Sequence, residues 1–472
     1  HSKVQLRGRE KGSMEYDFLP IEPLRGLNRL PEPTKGDLYF DIEGDHFYPD
    51  GGIEYLLGLV YRENGHQEYI KLWAKDRSEE KVAFIKWMEF VLDRWEKFPG
   101  FYIYHFAPYE PSAIKRLASR HAIFEQEVDQ LLRAEKFIDL HSVIKESLQA
   151  SVEQYSLKDL EQFTDFSRKI ELRDASAARR RLAAALELND PEKITDEDRF
   201  LIEEYNRDDC LATEGLHQWL EGIFQEQKSS GAELSRPELK SGDPNETVDE
   251  KDEYARKLYE SLLSDLPEDV SDYSEEDQSK WLLAHMVDYF RRENRSGFWE
   301  FFRLQELDDI EMLDERNGIS FIEFVSEFKP KRGNPIHRYK FPPQEVSLKE
   351  GDNIFDSRKS DENKKKFGTI EKISTEERWV EIKKTKATID THPTAIQMDK
   401  PIRTGPLIAS LHAFTENVIE YGLKDRDFFP AAKDLLIRNS PRLKNSESLV
   451  GIVGEETADT AIRIANNLDH SI

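Results

Sequence analysis

The stretch Gly36-Asp-Leu-Tyr-Phe-Asp-Ile-Glu-Gly-Asp45 decides how the rest of the sequence is read. Leu38, Tyr39, Phe40 and Ile42 make an apolar run that predicts a strand buried on both faces. Asp41 and Glu43 stand two apart on it, and side chains at i and i+2 of a strand leave on the same face. Two carboxylates held together beside a core strand repel each other and lose hydration. They stay charged only if a cation or a donor is supplied. Hard divalent ions such as Mg²⁺ take oxygen ligands of this kind. A strand that simply ends in an acidic turn has the same composition, and it is the plainer reading of these residues alone.

The neighbouring residues give this strand a setting. Glu54–Tyr61 and His66–Trp73 read as two further strands, separated by the turns Pro49-Asp-Gly-Gly52 and Glu63-Asn-Gly65. The period then turns helical from Ser78, read as the N-cap, to about Lys97. Phe101–His105 is a fourth strand, Glu110–Leu117 and Glu125–Ala134 are helices, and Phe137-Ile-Asp-Leu140 is a short fifth strand. Asp139 is read as a cap for the helix Ser142–Leu148. Helices follow over Asp174–Leu188 and Asp196–Gly222. Three strands followed by alternating helices and strands predict a mixed α/β sheet covered by helices.

Two more acidic positions stand out. Tyr205-Asn-Arg-Asp-Asp209 lies in the last of these helices, and Tyr205 and Asp209 are four apart, so they share a face with Leu201, Ile202 and Ala212. That face is inward, and a phenol and a carboxylate buried on it need partners. Glu110 opens a helix directly after the fourth strand, in Tyr104-His-Phe-Ala-Pro-Tyr-Glu110; the helix dipole alone would favour an acid there. His105 beside it reads as a core residue or a support, and it is also counted among the candidate nucleic-acid-binding residues. The densest basic run holds Arg168, Lys169, Arg173, Arg179, Arg180 and Arg181, which places nucleic-acid binding there, against the alternative of a solvated helix face. Tyr102, Phe106 and Tyr109 are of a type that stacks on bases, and equally of a type that fills cores.

Composition narrows the classes. The 472 residues carry 68 Lys+Arg and 94 Asp+Glu, a formal charge of −26. So acidic a chain does not coat nucleic acid indiscriminately, although a local basic groove remains open. A single cysteine, Cys210, excludes an internal disulfide and a cysteine-rich zinc site, and it fits a reducing, cytoplasmic setting. No apolar run is long enough to span a membrane. The first residues have no apolar signal core and no initiator Met, which reads as a processed or excised piece.

The order of parts divides the chain as follows: residues 1–33, a connecting segment; 34–226, the mixed α/β domain; 227–251, a polar linker; 252–316, a helical segment with helices Glu253–Leu263 and Asp277–Arg295. Residues 317–404 are a small β-barrel built from runs such as Phe321–Val325, Gly368–Ile373, Arg378–Ile382 and Thr388-Ile389, with a charged insertion Asp352–Lys366. Residues 405–472 are a C-terminal helical segment, with helix from Pro406 to Ile437. Lys329-Pro-Lys-Arg332, Arg338 and Lys364-Lys-Lys366 give the barrel local positive charge.

Taken in order, Asp41-Ile-Glu43, the acid Glu110 and Tyr205-x-x-x-Asp209 resemble the tyrosine-type DEDD exonucleases on the ribonuclease H-like fold. That family usually has Asp, not Glu, at the middle position. The chain resembles more closely the bifunctional RecB-family nuclease and superfamily 1 helicase proteins, whose middle acid is Glu. The residues that carry this are Leu30-Pro-Glu-Pro33, Gly36–Asp45, Tyr104–Glu110, Val128–Arg133, Tyr155-Ser-Leu-Lys158 and Tyr205–Cys210, with Trp281–Ala284 and Tyr289–Glu293 beyond the domain. No Gly-x-x-x-x-Gly-Lys-Ser/Thr loop is present, and the chain ends about where that family's ATPase begins, which implies a middle piece or a truncated relative.

The resemblance implies a 3′–5′ exonuclease of single-stranded DNA or RNA that uses two Mg²⁺ or Mn²⁺ ions. Asp41 would bridge the ions, with Glu43 and Asp209 on one, Glu110 on the other, and Tyr205 orienting the attacking water. It also implies a helicase core in cis or in trans, and a barrel like the one such helicases insert. The competing expectations are a catalytically silent nucleic-acid-binding scaffold for a helicase and a regulatory module that meets other proteins through its acidic surface.

Overall fold

The computed structural model describes residues 2–243, 246–267, 269–330, 333–357, 366–399, 404–440, 443–444, 452 and 454–468. The chain forms two compact units, residues 1–244 and 245–472. No helix among the described residues is long and apolar enough to cross a membrane.

The first unit runs α1 (Ser2–Lys11), β1 (Tyr16–Phe18), β2 (Leu38–Asp45), β3 (Ile53–Glu63), β4 (His66–Trp73), α2 (Arg77–Lys97) and β5 (Ile103–His105). It continues through α3 (Tyr109–His121), α4 (Glu125–Arg133), β6 (Phe137–Asp139), α5 (Leu140–Ser147), β7 (Leu148–Ala150), α6 (Leu157–Leu160), α7 (Leu172–Glu187) and α8 (Asp196–Ser229). Its main sheet has the order β4-β3-β2-β5-β6. β4, β3 and β2 pair antiparallel, while β2, β5 and β6 pair parallel. β2 is therefore both the central strand and the point where the sheet changes sense, and the carboxyl ends of β2 and β5 open at the same edge. Ligand sites of α/β sheets favour such a place.

Alternation along β2 sorts its side chains. Phe40 packs on Trp87 of α2, with ring centroids 4.9 Å apart. Tyr39 turns to the other face, where its hydroxyl meets His217 Nδ1 of α8 at 3.0 Å. Asp41 and Glu43 lie on that second face. α8 starts at a capping box, Thr195 with Asp198, and runs beyond the expected Gly222, because Ile223 and Phe224 are also buried in the core under it.

Local expectations shift where tertiary partners intervene. Asp76, not Ser78, caps α2, accepting the N–H of Glu79. Asp139 caps α5, accepting the N–H of His141 at 2.9 Å. Residues 1–33 are more than a connection: β1 pairs antiparallel with β7, and Leu27 and Leu30 are buried in the core. The start of the polar stretch after residue 227 is also held, since Arg236 forks onto Glu221 at 2.7 and 2.6 Å and lies 3.7 Å over the Phe224 ring.

The second unit holds α9 (Glu246–Leu263), α10 (Glu275–Met286), α11 (Tyr289–Glu306), β8 (Gly318–Ser320), β9 (Glu323–Phe328), β10 (Ile336–Lys340), β11 (Asn353–Asp356), β12 (Gly368–Ser374), β13 (Trp379–Lys384), β14 (Ala395–Met398), α12 (Gly405–Tyr421), α13 (Pro430–Leu436) and α14 (Thr457–Asn466). The expected helix Asp277–Arg295 is two helices, α10 and α11. The expected helix Pro406–Ile437 is likewise broken, with Gly422 at positive φ closing α12. Thr388-Ile389 lies in a turn, not a strand.

The seven strands form one antiparallel sheet, β8-β14-β11-β12-β13-β10-β9. Its two edge strands, β8 and β9, are consecutive in the chain with only Phe321 and Ile322 between them. A flat sheet of this width would hold its edges nearly 30 Å apart at about 4.8 Å per strand, whereas three residue steps reach only about 10 Å. The sheet therefore rolls up, around Ile319, Tyr339, Ile354, Phe367, Val380, Ile382 and Ile396. Arg338 is neutralised by Glu381 at 2.6 Å and Lys329 meets Glu327 at 3.3 Å, so both are ion-paired within the unit. Residues 331–332 and 358–365, including much of the charged insertion and Lys364-Lys365, lie outside the described residues.

Candidate metal centre

Asp41, Glu43 and Asp209 come together, one oxygen of each lying within 4.8 Å of the others. Strand alternation supplies the first two and the close approach of α8 to β2 supplies the third. Asp41 is partly exposed; Glu43 and Asp209 are buried. Burial, then the charges of Asp209, Glu43 and Glu110, push Asp41 well above the usual carboxylate range. Burial likewise pushes Glu43 up to about 8, against the opposing pull of Arg179. Asp209 is raised by burial, although Arg168, Lys158 and the nearby Tyr205 hydroxyl pull it down.

Tyr205 projects from α8 one turn before Asp209, and its hydroxyl is near enough to favour the charged form of the Asp209 carboxyl. Burial, followed by the charges of Asp209 and Glu43, raises the phenol far above its ordinary value. It is a neutral donor at physiological pH. Three cations ring it: Lys158, Arg168 and Arg179 lie 5.5, 5.7 and 5.3 Å from the ring centroid.

Glu110 is buried at the start of α3, but it stands outside the three-way group among the described residues. Its Oε2 lies 3.4 Å from His105 Nδ1 and completes no hydrogen bond. His105 donates instead to the Ala107 carbonyl at 2.7 Å. Burial works against a charged His105, but Glu110 and Asp139 outweigh it and the ring is raised. The charge of Glu110 still reaches Asp41 and Glu43.

The basic residues separate. Arg179 Nε lies 2.9 Å from Glu43 Oε2, and Arg168 Nη1 lies 2.7 Å from Asp209 Oδ1. Arg181 instead pairs with Asp198, and Lys169, Arg173 and Arg180 are exposed. Lys169 contributes its backbone, which with that of Ile170 donates to Asp208 Oδ2 at 2.8 and 3.3 Å; Asp208 thus ties down the loop and is not part of the cluster. Tyr102 is buried in the core, Phe106 packs against it, and Tyr109 donates to Glu54 at 2.8 Å.

Sequence reasoning missed the group that fixes Asp41. Asn206 Nδ2 donates to Asp41 Oδ2 at 2.7 Å and to its carbonyl at 3.1 Å, and Asn206 Oδ1 meets the Tyr69 hydroxyl at 2.8 Å. Two acceptors at one end of the amide settle which way it points. Gly58, the register partner of Asp41, makes room: a Cβ there would lie 1.6 Å from Asn206 Oδ1. The available signal was small, an Asn beside an inward-facing Tyr and a lone Gly in a strand.

The donor set suits a hard cation. It is all oxygen and it carries more buried negative charge than its two arginines neutralise. Glu110 Oε2 and Asp209 Oδ1 are buried without a completed hydrogen bond.

Comparison with known families agrees with the fold. Residues 38–221 match the family model of the RNase H superfamily. That span opens with the first residue of β2 and closes within α8, so it contains Asp41, Glu43, Glu110, Tyr205 and Asp209. The match supports an RNase H-like domain over these residues, in agreement with the mixed sheet and its covering helices. No curated protein matches the chain.

Proposed function

We propose that this protein is a metal-dependent 3′–5′ exonuclease of single-stranded DNA or RNA, of the tyrosine-type DEDD kind. The observation that carries the reading is the convergence of Asp41, Glu43 and Asp209 beside a neutral Tyr205 hydroxyl. In this reading Asp41, Glu43 and Asp209 would hold a divalent ion, and Glu110 would help to hold a second. Bound Mg²⁺ or Mn²⁺ ions supply a nucleophilic water and charge stabilisation for the leaving oxygen. The protein's own part is positional. Asn206 fixes Asp41, so that one of its oxygens is committed and the other left to ligate. Tyr205 orients the attacking water. Arg168, Arg179 and Lys158 hold the substrate phosphates, with Lys169, Arg173 and Arg180 on the exposed side of the same segment.

Polarity, the association with a helicase core in cis or in trans, and a cytoplasmic setting come with the resemblance to the RecB-family nuclease and helicase proteins. The second reading, a silent scaffold for a helicase, draws on the position of Glu110 outside the main group. Calorimetric titration of Mn²⁺ into the full chain, with end-labelled single strands incubated in parallel, separates them. The nuclease reading expects two ion-binding events and shortening from the 3′ end. Ion binding without cleavage of either DNA or RNA would leave the scaffold.

A further inference from the structure

The arginines at the metal centre do more than their position in a basic run implied. Arg179 and Arg168 lie directly on Glu43 and Asp209, the carboxylates read above as ligands. A guanidinium and a divalent ion compete for the same charge. Each arginine also has a second neighbour that is not a ligand. Arg168 forks onto Glu161 at 2.9 and 2.7 Å, and Arg179 lies 5.3 Å from the centroid of the Tyr205 ring. The Arg168–Asp209 contact is short but skewed, so neither atom completes a hydrogen bond. Both guanidiniums lie against the Tyr205 ring, 5.7 and 5.3 Å from its centroid.

We propose that Arg168 and Arg179 are exchangeable counter-ions: an ion bound by Asp41, Glu43 and Asp209 displaces them from the carboxylates, and the released guanidiniums grip the phosphates of the substrate strand. Glu161 keeps Arg168 in place during the exchange, and a guanidinium fork matches a phosphate as well as it matches a carboxylate. Lys158 supplies a third cation to the same patch. Metal loading thereby switches the site from holding its own acids to holding nucleic acid. This inference rests on the metal-dependent reading and adds a sign to it. Removal of one arginine strengthens ion binding while it weakens strand binding, whereas an arginine that merely orients Glu43 would support both.

The test uses the full chain as wild type, Arg179→Gln and Arg179→Lys. Mn²⁺ affinity is measured by calorimetry without nucleic acid. Labelled oligothymidylate and oligouridylate affinities are measured by fluorescence anisotropy in Ca²⁺. Arg179→Gln is expected to bind Mn²⁺ about tenfold more tightly and at least one of the two strands about tenfold more weakly. Arg179→Lys keeps the charge and stem, and it carries the test if the Gln variant does not fold. Its Mn²⁺ affinity should stay at the wild-type level, with strand affinity lower by about threefold.

Unchanged or weaker Mn²⁺ binding by Arg179→Gln overturns the exchange and leaves the metal centre standing. Tighter Mn²⁺ binding with unaltered strand binding overturns the phosphate half. Absence of Mn²⁺ binding in all three proteins removes the metal reading and this inference together.

Discussion

Two of the groups of acids buried in the RNase H-like domain are built in opposite ways. Glu80 and Glu54 are as buried as Glu43. Yet Glu80 receives Arg77, Arg120 at 2.8 Å, His121 at 2.9 Å and the N–H of Glu54 at 2.9 Å, and Glu54 receives Tyr109 and Arg116. That network ties α2 and α3 to β3 and uses its donors fully. The cluster of Asp41, Glu43 and Asp209, with Glu110 beside it, leaves Asp209 Oδ1 and Glu110 Oε2 buried without hydrogen bonds. A buried acid is thus no sign of a site by itself. Nor is one unpaired buried oxygen, since Asp45 and Asp208 each leave one too; the sign is the convergence of several acids with such a deficit at one point.

The sharpest way to break this contrast is Asp41→Asn. Cleavage in Mg²⁺ should fall below detection while the melting temperature, read in chelator, holds or rises, because one repelling charge is gone. A variant that melts lower and still cuts would make the cluster a second structural network. Next in size is Tyr205→Phe, which removes a positioned hydroxyl and keeps the ring. The cleavage rate should drop by about 10²–10⁴-fold, with Mn²⁺ affinity retained by calorimetry.

Glu80→Gln tests the other side of the comparison. It strands Arg120 and His121 beside a neutral amide, and denaturant unfolding should show a loss of about 3 kcal/mol with the cleavage rate per folded molecule unchanged. Asn206→Ala should lower metal affinity and rate by about 10–100-fold, the usual effect of losing a group that orients a ligand. Gly58→Ala should reproduce that defect without touching Asp41, since its Cβ must displace the Asn206 carboxamide.

The smallest effect is on pH dependence. Glu43 is raised in the folded state to about 8, above its unfolded value, so the folded protein holds this proton more tightly. Its stabilising contribution is present at acid pH and is lost as pH rises through about 8. In chelator, calorimetry should show a loss of order 1–3 kcal/mol between about pH 5 and about pH 9. Mn²⁺ should restore more stability at the alkaline end, where the ligands are deprotonated. A Glu80-type network, complete without an ion, predicts no such metal-dependent recovery.

The sequence by itself determined whatever backbone period sets. Asp41 and Glu43 share a face because a strand repeats every two residues, and Tyr205 and Asp209 share one because a helix repeats nearly every four. The order of strands and helices likewise implied a mixed sheet, and short β-branched runs implied a second, rolled one. Where the reading failed, the deciding partner was distant in sequence. β1 needs β7 across about 130 residues, and α8 outruns its expected end because Ile223 and Phe224 find a core.

Only the tertiary structure decided which acids are short of donors. The Arg179–Glu43 and Asn206–Asp41 contacts bridge more than 130 residues, and no local period encodes them. The space for Asn206 depends on a missing side chain at Gly58, on another strand. Saturation of a buried charge is a property of everything packed around it, and the chain reveals that only once it has folded.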